Sequence, residues 1–377
     1  MNPPLRPTAD TRYSTPETLP EWDEYAEWET TLGAVLESGS SALVIGGTDV
    51  GKTTFTRLVV NRAVSAGNRV AVIDADPGQS EIGPPGCAGL AFIDSPIASL
   101  SHLAPAALAF IGSVSPAGHL PEHITAVRRL ADMAGDRFLV TDTSGYLHGP
   151  GARRLVQLEF ELLAPVHVIA LQRGDELQGI LAPIRKRSSC QVHTPSVPSV
   201  IGRKPPSLRS RRREVRFAAY FQDVETASFA FRDVAFVGTW LGGGTAVAAH
   251  ILRFLNETFG PHARVFYAET AGKHLGLMTN SPIAPNSPEM GMVLHQCGAR
   301  EVTVTVAPRL KHLLVGLEAS NGKLLGLGLI VSLDFRRELI GVLTPVRSPD
   351  AACILRFGIQ KVEPNGRDAG TLKPGEL

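Results

Sequence analysis

The sequence predicts an α/β domain built on a mostly parallel sheet covered by helices, followed by a second, mostly β domain. Three observations carry this expectation. The first half holds short segments that are apolar at every position, as strands buried on both faces require. A glycine-rich phosphate-loop pattern joins the first such segment to an amphipathic helix, and after about residue 225 the texture changes to short β-like runs at near-regular spacing.

The 377 residues exceed the roughly 100–200 of one domain and can bury ample core. With 44% hydrophobic and 19% charged residues, and only 37 Gly and 28 Pro, the chain is globular and not low-complexity. A formal net charge of +1 gives no global field to attract nucleic acid or a membrane surface, so any polyanion site must come from local clustering. The four cysteines (Cys87, Cys190, Cys297 and Cys353) are far apart, with no CxxC pair and no histidine at zinc-ligand spacing, and read as thiols of a reducing compartment. The N-terminus has no apolar signal region. The longest apolar run, Leu324 to Leu333, is about half a membrane span, so a cytoplasmic, soluble protein is expected.

Taken in order, residues 1–20 form an aperiodic tail rich in Pro, Thr and charge, and residues 21–38 an amphipathic lead-in helix; together 1–40 precede the first domain. Strands are expected at 42–45, 69–73, 108–111, 138–140 and 166–171. Segment 53–66 places Phe55, Leu58, Val59 and Ala63 on one helical face and stops before Gly67, which makes 42–74 a βαβ unit. The α/β domain runs over 41–225. In the second domain, 226–377, one helix near 245–258 precedes strands at 302–306, 313–317, 324–333, 339–343 and 353–357.

Gly46-Gly47-Thr48-Asp49-Val50-Gly51-Lys52-Thr53 fits GxxxxGK[ST] in full, after a strand and before a helix, which is the context the motif needs. Its backbone N–H groups wrap phosphate at the helix N-terminus, Lys52 sets a point charge on the β/γ-phosphates, and the Thr53 hydroxyl suits Mg²⁺. The next strand ends in Asp74-Ala75-Asp76-Pro77-Gly78-Gln79. Acids at the carboxyl end of a parallel strand face the nucleotide crevice, where one can hold Mg²⁺ and the other accept a proton; an ordinary loop cap is the bland alternative. Asp76 is expected to be the general base, with Asp74 on the opposite strand face in an indirect, metal-organising role. Thr141-Asp142-Thr143-Ser144-Gly145-Tyr146 follows another buried strand, so its hydroxyls and Gly145 reach the same sheet edge unless it is only a turn. Gly112-Ser113-Val114-Ser115-Pro116 gives a weaker signal of the same kind.

Between Arg185 and Arg216 there are ten basic residues against one acid, Glu214. Leu208 to Phe221 reads as a helix with Arg209, Arg212, Arg213 and Arg216 on one face. Such charges repel unless an anion neutralises them, so the face suits phosphate better than bulk solvent.

These residues resemble the Clp/Grc-type polynucleotide 5′-hydroxyl kinases. The likeness rests on 46–54 (ending in Thr54), on Asp74 to Gly86, on Thr143-Ser144-Gly145-Tyr146 and on the arginine helix ending Arg216-Phe217-Ala218-Ala219-Tyr220-Phe221, and covers about 41–225. It implies ATP- and Mg²⁺-dependent phosphorylation of an RNA or DNA 5′-hydroxyl end. The phosphate loop and Gln79 would bind the nucleotide, Thr53, Asp74 and Asp76 would lie about the metal, and Asp76 would activate the hydroxyl. Thr143 and Gly145 would belong to a clasp on the nucleotide phosphates, and Arg212 and Arg216 to a lid (185–221) over the transferring group. Tyr146 stands where the family's clasp carries Trp, and Ser113 where relatives often carry an acid. Segment 1–40 is too short for the N-terminal β domain of the eukaryotic members. Two rival readings are a dethiobiotin synthetase-like ligase, whose phosphate loop is similar but which leaves the basic lid and second domain unexplained, and an assembly factor that binds RNA and uses ATP as a clamp.

Overall fold

The structure is a computed structural model; it describes residues 25–38, 40–260 and 262–377. The tail at 1–20 and the start of the expected lead-in helix, 21–24, lie outside the described residues. The first domain runs α1 (Ala26–Ser38), β1 (Ser41–Gly46), α2 (Lys52–Ser65), β2 (Val70–Asp74), β3 (Cys87–Ile93), β4 (Ala107–Phe110), α3 (Leu120–Ala134), β5 (Phe138–Asp142), α4 (Pro150–Leu163), β6 (His167–Leu171), α5 (Gln178–Ile184), β7 (Gln191–His193) and α6 (Pro206–Tyr220).

Among the described residues its sheet has the order β4-β3-β2-β5-β1-β6-β7. The pairs from β2 to β7 are parallel, whereas β3 is antiparallel to both β2 and β4. Strand β3 was not among the expected strands; its small residues follow a Pro- and Gly-rich loop and carry little strand signature. Side-chain alternation sorts the core. Ala42 and Val44 face α1 and α2 on one side, whereas Leu43 and Ile45 face α4 and α5 on the other. On that second side Ala71 and Ile73 meet Ala126, Val127 and Leu130 of α3. Strand β5 lies between β1 and β2, so the 42–74 unit crosses over one strand and brings Val44, Asp142 and Asp74 into register at the carboxyl edge.

The second domain comprises β8 (Glu225–Ala230), β9 (Ala235–Val237), β10 (Thr245–Ala246), α7 (Ala249–Phe259), β11 (Val265–Ala271), β12 (His274–Thr279), α8 (Pro288–Gln296), β13 (Glu301–Val306), β14 (Leu313–Ala319), β15 (Leu324–Asp334), β16 (Leu339–Thr344), β17 (Ala352–Val362) and β18 (Asp368–Thr371). One sheet runs β18-β17-β14-β15-β16-β8 with β9 beside β17, and a second runs β10-β11-β12-β13 under α7 and α8. The single-helix expectation therefore omits α8 and the β11–β12 hairpin.

The two domains share a core of Cys87, Phe110, Phe217, Phe221, Leu314, Leu324, Leu327, Leu329 and Val362. The Tyr220 hydroxyl accepts a hydrogen bond from Leu327 N at 2.7 Å. The 112–116 turn serves this junction: Gly112 O accepts from Ile359 N and Gln360 N, and a Cβ on Gly112 would lie 2.6 Å from Gly358 Cα.

Candidate active site

The loop between β1 and α2 is tight. Gly51 has φ 91°, a conformation that favours glycine, and a Cβ there would lie 2.5 Å from Ile201 Cδ1 and 3.1 Å from the Trp28 ring. Helix α1 thus braces the phosphate loop: Trp28 packs on Phe55 of α2, and its Nε1–H donates to Ser196 O at 2.8 Å. On the opposite flank a Cβ on Gly145 would come within 2.6 Å of Thr48 Cγ2, so the 143–146 segment lies against the loop. The Lys52 ammonium, largely buried, donates to Gly47 O at 2.8 Å and so folds back over the loop.

Asp142, at the end of β5, accepts from the Thr53 hydroxyl through Oδ2 at 2.7 Å, while its buried Oδ1 has no hydrogen-bond partner. Asp74 lies level with it on the neighbouring strand. Burial, aided by their mutual repulsion, pushes Asp74 up to about 8; burial likewise lifts Asp142 to about 7 against the pull of nearby Lys52. Asp74 accepts three backbone N–H bonds, from Asp76 at 3.1 Å, from Ile82 at 3.0 Å and from Glu81, and so folds the 75–82 loop. Asp76 Oδ1 accepts from Gly78 N at 2.9 Å and Gln79 N at 3.0 Å, an arrangement that holds the carboxylate at the cleft wall.

Helix α6 closes the other side. Arg212 ion-pairs with Glu81, Arg216 donates to Glu81 O at 2.8 Å and Gly83 O at 3.0 Å, and Arg209 bonds Asp49 Oδ2 at 3.0 Å. Lys204 N donates to the same Asp49 oxygen at 3.0 Å. Glu81 and Asp49 are therefore the anions that quiet the like-charge repulsion foreseen for this face.

The resulting cleft has a volume of about 300 Å³. It brings together Thr48, Asp49, Gly51, Lys52, Thr53, Thr54, Asp74, Asp76, Gln79, Thr143 and Arg212. A wider recess of about 600 Å³ continues from Thr48, Asp49, Lys204 and Arg209 past Gly47 and Val50 to Leu147, His148, Arg173, Glu176 and Arg203. Gly46 ends β1 beneath the loop, and Arg216 sits behind the cleft on the Glu81 and Gly83 carbonyls. The Thr143 hydroxyl is used inside the fold, donating to Val44 O at 2.9 Å. Arg185, Lys186 and Arg187 line neither space. Sequence reasoning missed Asp142 and Glu81. Asp142 had a signal, an acid at a buried strand's carboxyl end; Glu81 had none until α6 was seen to cross it.

A phosphate loop with its lysine, strand-end carboxylates beside it and an arginine-bearing helix across the cleft define a P-loop nucleotide-binding protein. Residues 46–223 match the family model described as mRNA cleavage and polyadenylation factor CLP1 P-loop. The chain is 30% identical to a polyribonucleotide 5′-hydroxyl-kinase of Thermococcus kodakarensis, covering 89% of this chain and 92% of that one. It is likewise 30% identical to one of Pyrococcus furiosus, with 94% and 96% covered. The solved Clp1p–Pcf11p complex shares the fold at a TM-score of 0.53 and 14% identity, over 87% of this chain and 76% of that one. The chain belongs to the Clp1-type polyribonucleotide 5′-hydroxyl-kinase family.

Proposed function

We propose that this chain is an ATP-dependent kinase that transfers the γ-phosphate to the 5′-hydroxyl of RNA, with Asp76 receiving or orienting the hydroxyl proton. The observation that supports this most is the meeting of Lys52, Asp76 and Arg212 on one cleft, in a chain whose relatives carry that activity in their names. The loop N–H groups at the start of α2 hold the β- and γ-phosphates, and the wider recess takes the nucleoside. Lys52 and the lid arginines neutralise charge as the phosphoryl group moves. Arg212 exchanges Glu81 for phosphate oxygen as it does so.

The residues fit Mg²⁺. Asp142 Oδ1 is a buried carboxylate oxygen without a hydrogen-bond partner, next to an oxygen that already holds the Thr53 hydroxyl. Thr53 and Asp142 would hold the cation from the protein side, directly or through water, with Asp76 on the reacting side and Asp74 shaping the loop from behind. Among the described residues no three His, Cys, Asp or Glu side chains form a metal group by themselves, so phosphate and water oxygens would have to complete the shell. When bound, the cation would supply Lewis-acid polarisation and charge neutralisation to the nucleotide phosphates.

The test is incubation with γ-labelled ATP, Mg²⁺ and matched RNA and DNA oligonucleotides ending in 5′-hydroxyl or 5′-phosphate. Label should enter only the 5′-hydroxyl strands, RNA before DNA, and Lys52→Ala should abolish it while leaving the fold intact. A chain that binds ATP and RNA yet labels nothing is the ATP clamp of the rival reading. Near wild-type labelling by the Lys52 variant would refute the role given to the phosphate loop.

A further inference from the structure

A groove of about 960 Å³, wider than either space at the phosphate loop, opens in the second domain between α7, β11 and the turn from β15 to β16. Its polar and aromatic lining is Asn256, Arg264, Phe266, Asp334, Phe335 and Arg336. A β-bulge sets the first of these rings. The β11–β12 register shifts between Val265 and Tyr267, so Phe266 has no cross-strand partner and its side chain is re-aimed out of the ladder. The Phe266 ring lies nearly parallel to that of Phe335, at 7° with centroids 6.4 Å apart. Phe335 is in turn stacked on Tyr267 at 20°, and Tyr267 on Trp240 at 14°. The Arg264 guanidinium sits 5.8 Å from the Phe266 centroid. Both lining phenylalanines are only half-buried.

The polar groups in the lining say what kind of ligand is suited. Asn256 is fully used: its Nδ2 donates to Leu252 O and Val265 O, and its Oδ1 accepts from Val265 N. Asp334 Oδ1 accepts from Arg336 N and Arg337 N, and its Oδ2 lies 3.9 Å from Arg337 Nε. Arg264 and Arg336 are exposed and carry no ion pair among the described residues. The groove therefore offers aligned π-faces and two guanidinium groups without a carboxylate partner among the described residues, one of them over the Phe266 ring, while Asn256 and Asp334 Oδ1 are spent on backbone groups and Asp334 Oδ2 faces the Arg337 side chain. A flat, anionic ligand matches that inventory; single-stranded nucleic acid is such a ligand.

We propose that this groove is a second RNA contact, which stacks bases of the substrate strand on Phe266 and Phe335 and holds its phosphates with Arg264 and Arg336, away from the phosphorylated end. The proposal rests on the kinase reading for the identity of the strand. It gives the second domain a direct part in substrate affinity for longer RNAs.

The experiment compares 5′-hydroxyl RNAs of about four and about twenty nucleotides, the shorter too small to occupy a distant contact. Wild-type chain should show a lower KM for the longer strand. Arg264→Gln with Arg336→Gln should raise that KM roughly tenfold while leaving kcat, and the KM of the short strand, unchanged. With two phosphate contacts at about 0.7 each, the log–log salt dependence of long-RNA binding, read by fluorescence anisotropy, should become shallower by about 1.4. Photo-crosslinking of 5-iodouridine RNA should mark Phe266, and Phe266→Leu, which keeps apolar bulk, should lose that mark. Equal wild-type KM for both lengths, or unchanged long-RNA affinity and salt slope in the double variant, overturns the proposal, including the case in which a protein segment fills the groove. If no strand is labelled at all the kinase reading fails, and anisotropy and crosslinking still decide whether RNA binds here.

Discussion

Asp142→Asn should make the protein more stable and a worse catalyst. In the fold this carboxyl is buried next to Asp74 with one oxygen lacking a partner, and its pKa stands at about 7 against an ordinary 3.8. At this site the folded chain therefore holds a proton that the unfolded chain has lost between about pH 4 and 7, and the contribution of this group to stability falls as pH rises through that window. A shift of about 3 units at about 1.4 kcal/mol each sets a ceiling of about 4 kcal/mol on the cost of ionising Asp142. The amide removes that cost and keeps an oxygen for the Thr53 hydroxyl. Urea unfolding without nucleotide or Mg²⁺ should thus show the variant more stable than wild type at pH 8.5, by up to this ceiling, and the advantage should shrink by more than half at pH 5. Added ATP and Mg²⁺ should reverse the order, because the amide turns an N–H donor toward the place of the cation, and kcat should fall about 10²–10³-fold. Equal stability at pH 8.5, or an advantage independent of pH, would refute the claim that a buried charge is held there for the cation.

Asp76→Asn keeps the shape of the cleft wall and loses the proton acceptor, so ATP binding should persist while single-turnover transfer drops about 10²–10⁴-fold; normal turnover would remove Asp76 as base. Replacing both Arg212 and Arg216 by Ala should lower kcat, whereas Ala at Arg185, Lys186 and Arg187 should leave kcat and flatten the salt dependence of RNA binding; identical profiles for the two sets would dissolve the distinction. Glu81→Gln frees Arg212 from its competing carboxylate, so the KM for ATP should fall several-fold while the unliganded chain loses about 1 kcal/mol of stability by chemical unfolding; a raised KM would show that Glu81 guides Arg212 and does not compete for it.

The phosphate loop was legible because everything that defines it is local: a strand apolar on both faces, five residues of loop, and a helix whose apolar stripe starts at Phe55. The alternation of Ala42 and Val44 against Leu43 and Ile45 even implies helices on both sides of the sheet, as found. The Thr53–Asp142 bond was not legible, since it depends on β5 inserting between β1 and β2, and strand order is set by crossovers that leave no mark on either segment. Glu81 had the same difficulty: its meaning comes from Arg212, far along the chain on α6. In the second domain, the bulge at Phe266 interrupts the period-2 pattern of β11, and Gly276 weakens that of β12, which is why this hairpin escaped a reading based on alternation.

On the proposed kinase reading, the anchoring of α6 gives the attached β domain a role. The end of α6 near Arg216 is fixed by Phe217 and Phe221, buried among Leu324, Leu327 and Leu329 of the second domain, and each such ring contributes about 1.5–3 kcal/mol. The end near Arg209 is held to the first domain by ion pairs to Asp49 and Glu81 that are partly open to solvent, a kind of contact worth roughly 1 kcal/mol or less. The two ends are thus held unequally. Arg209 and Arg212 sit on the end that phosphate can capture by displacing carboxylates, whereas Arg216 sits on the anchored end, tied to backbone carbonyls. On that reading, capture by phosphate would need no rearrangement of the core, because the exchange would be of one anion for another at the weak end. The second domain would then supply the fixed point against which that exchange aligns the arginines with the cleft.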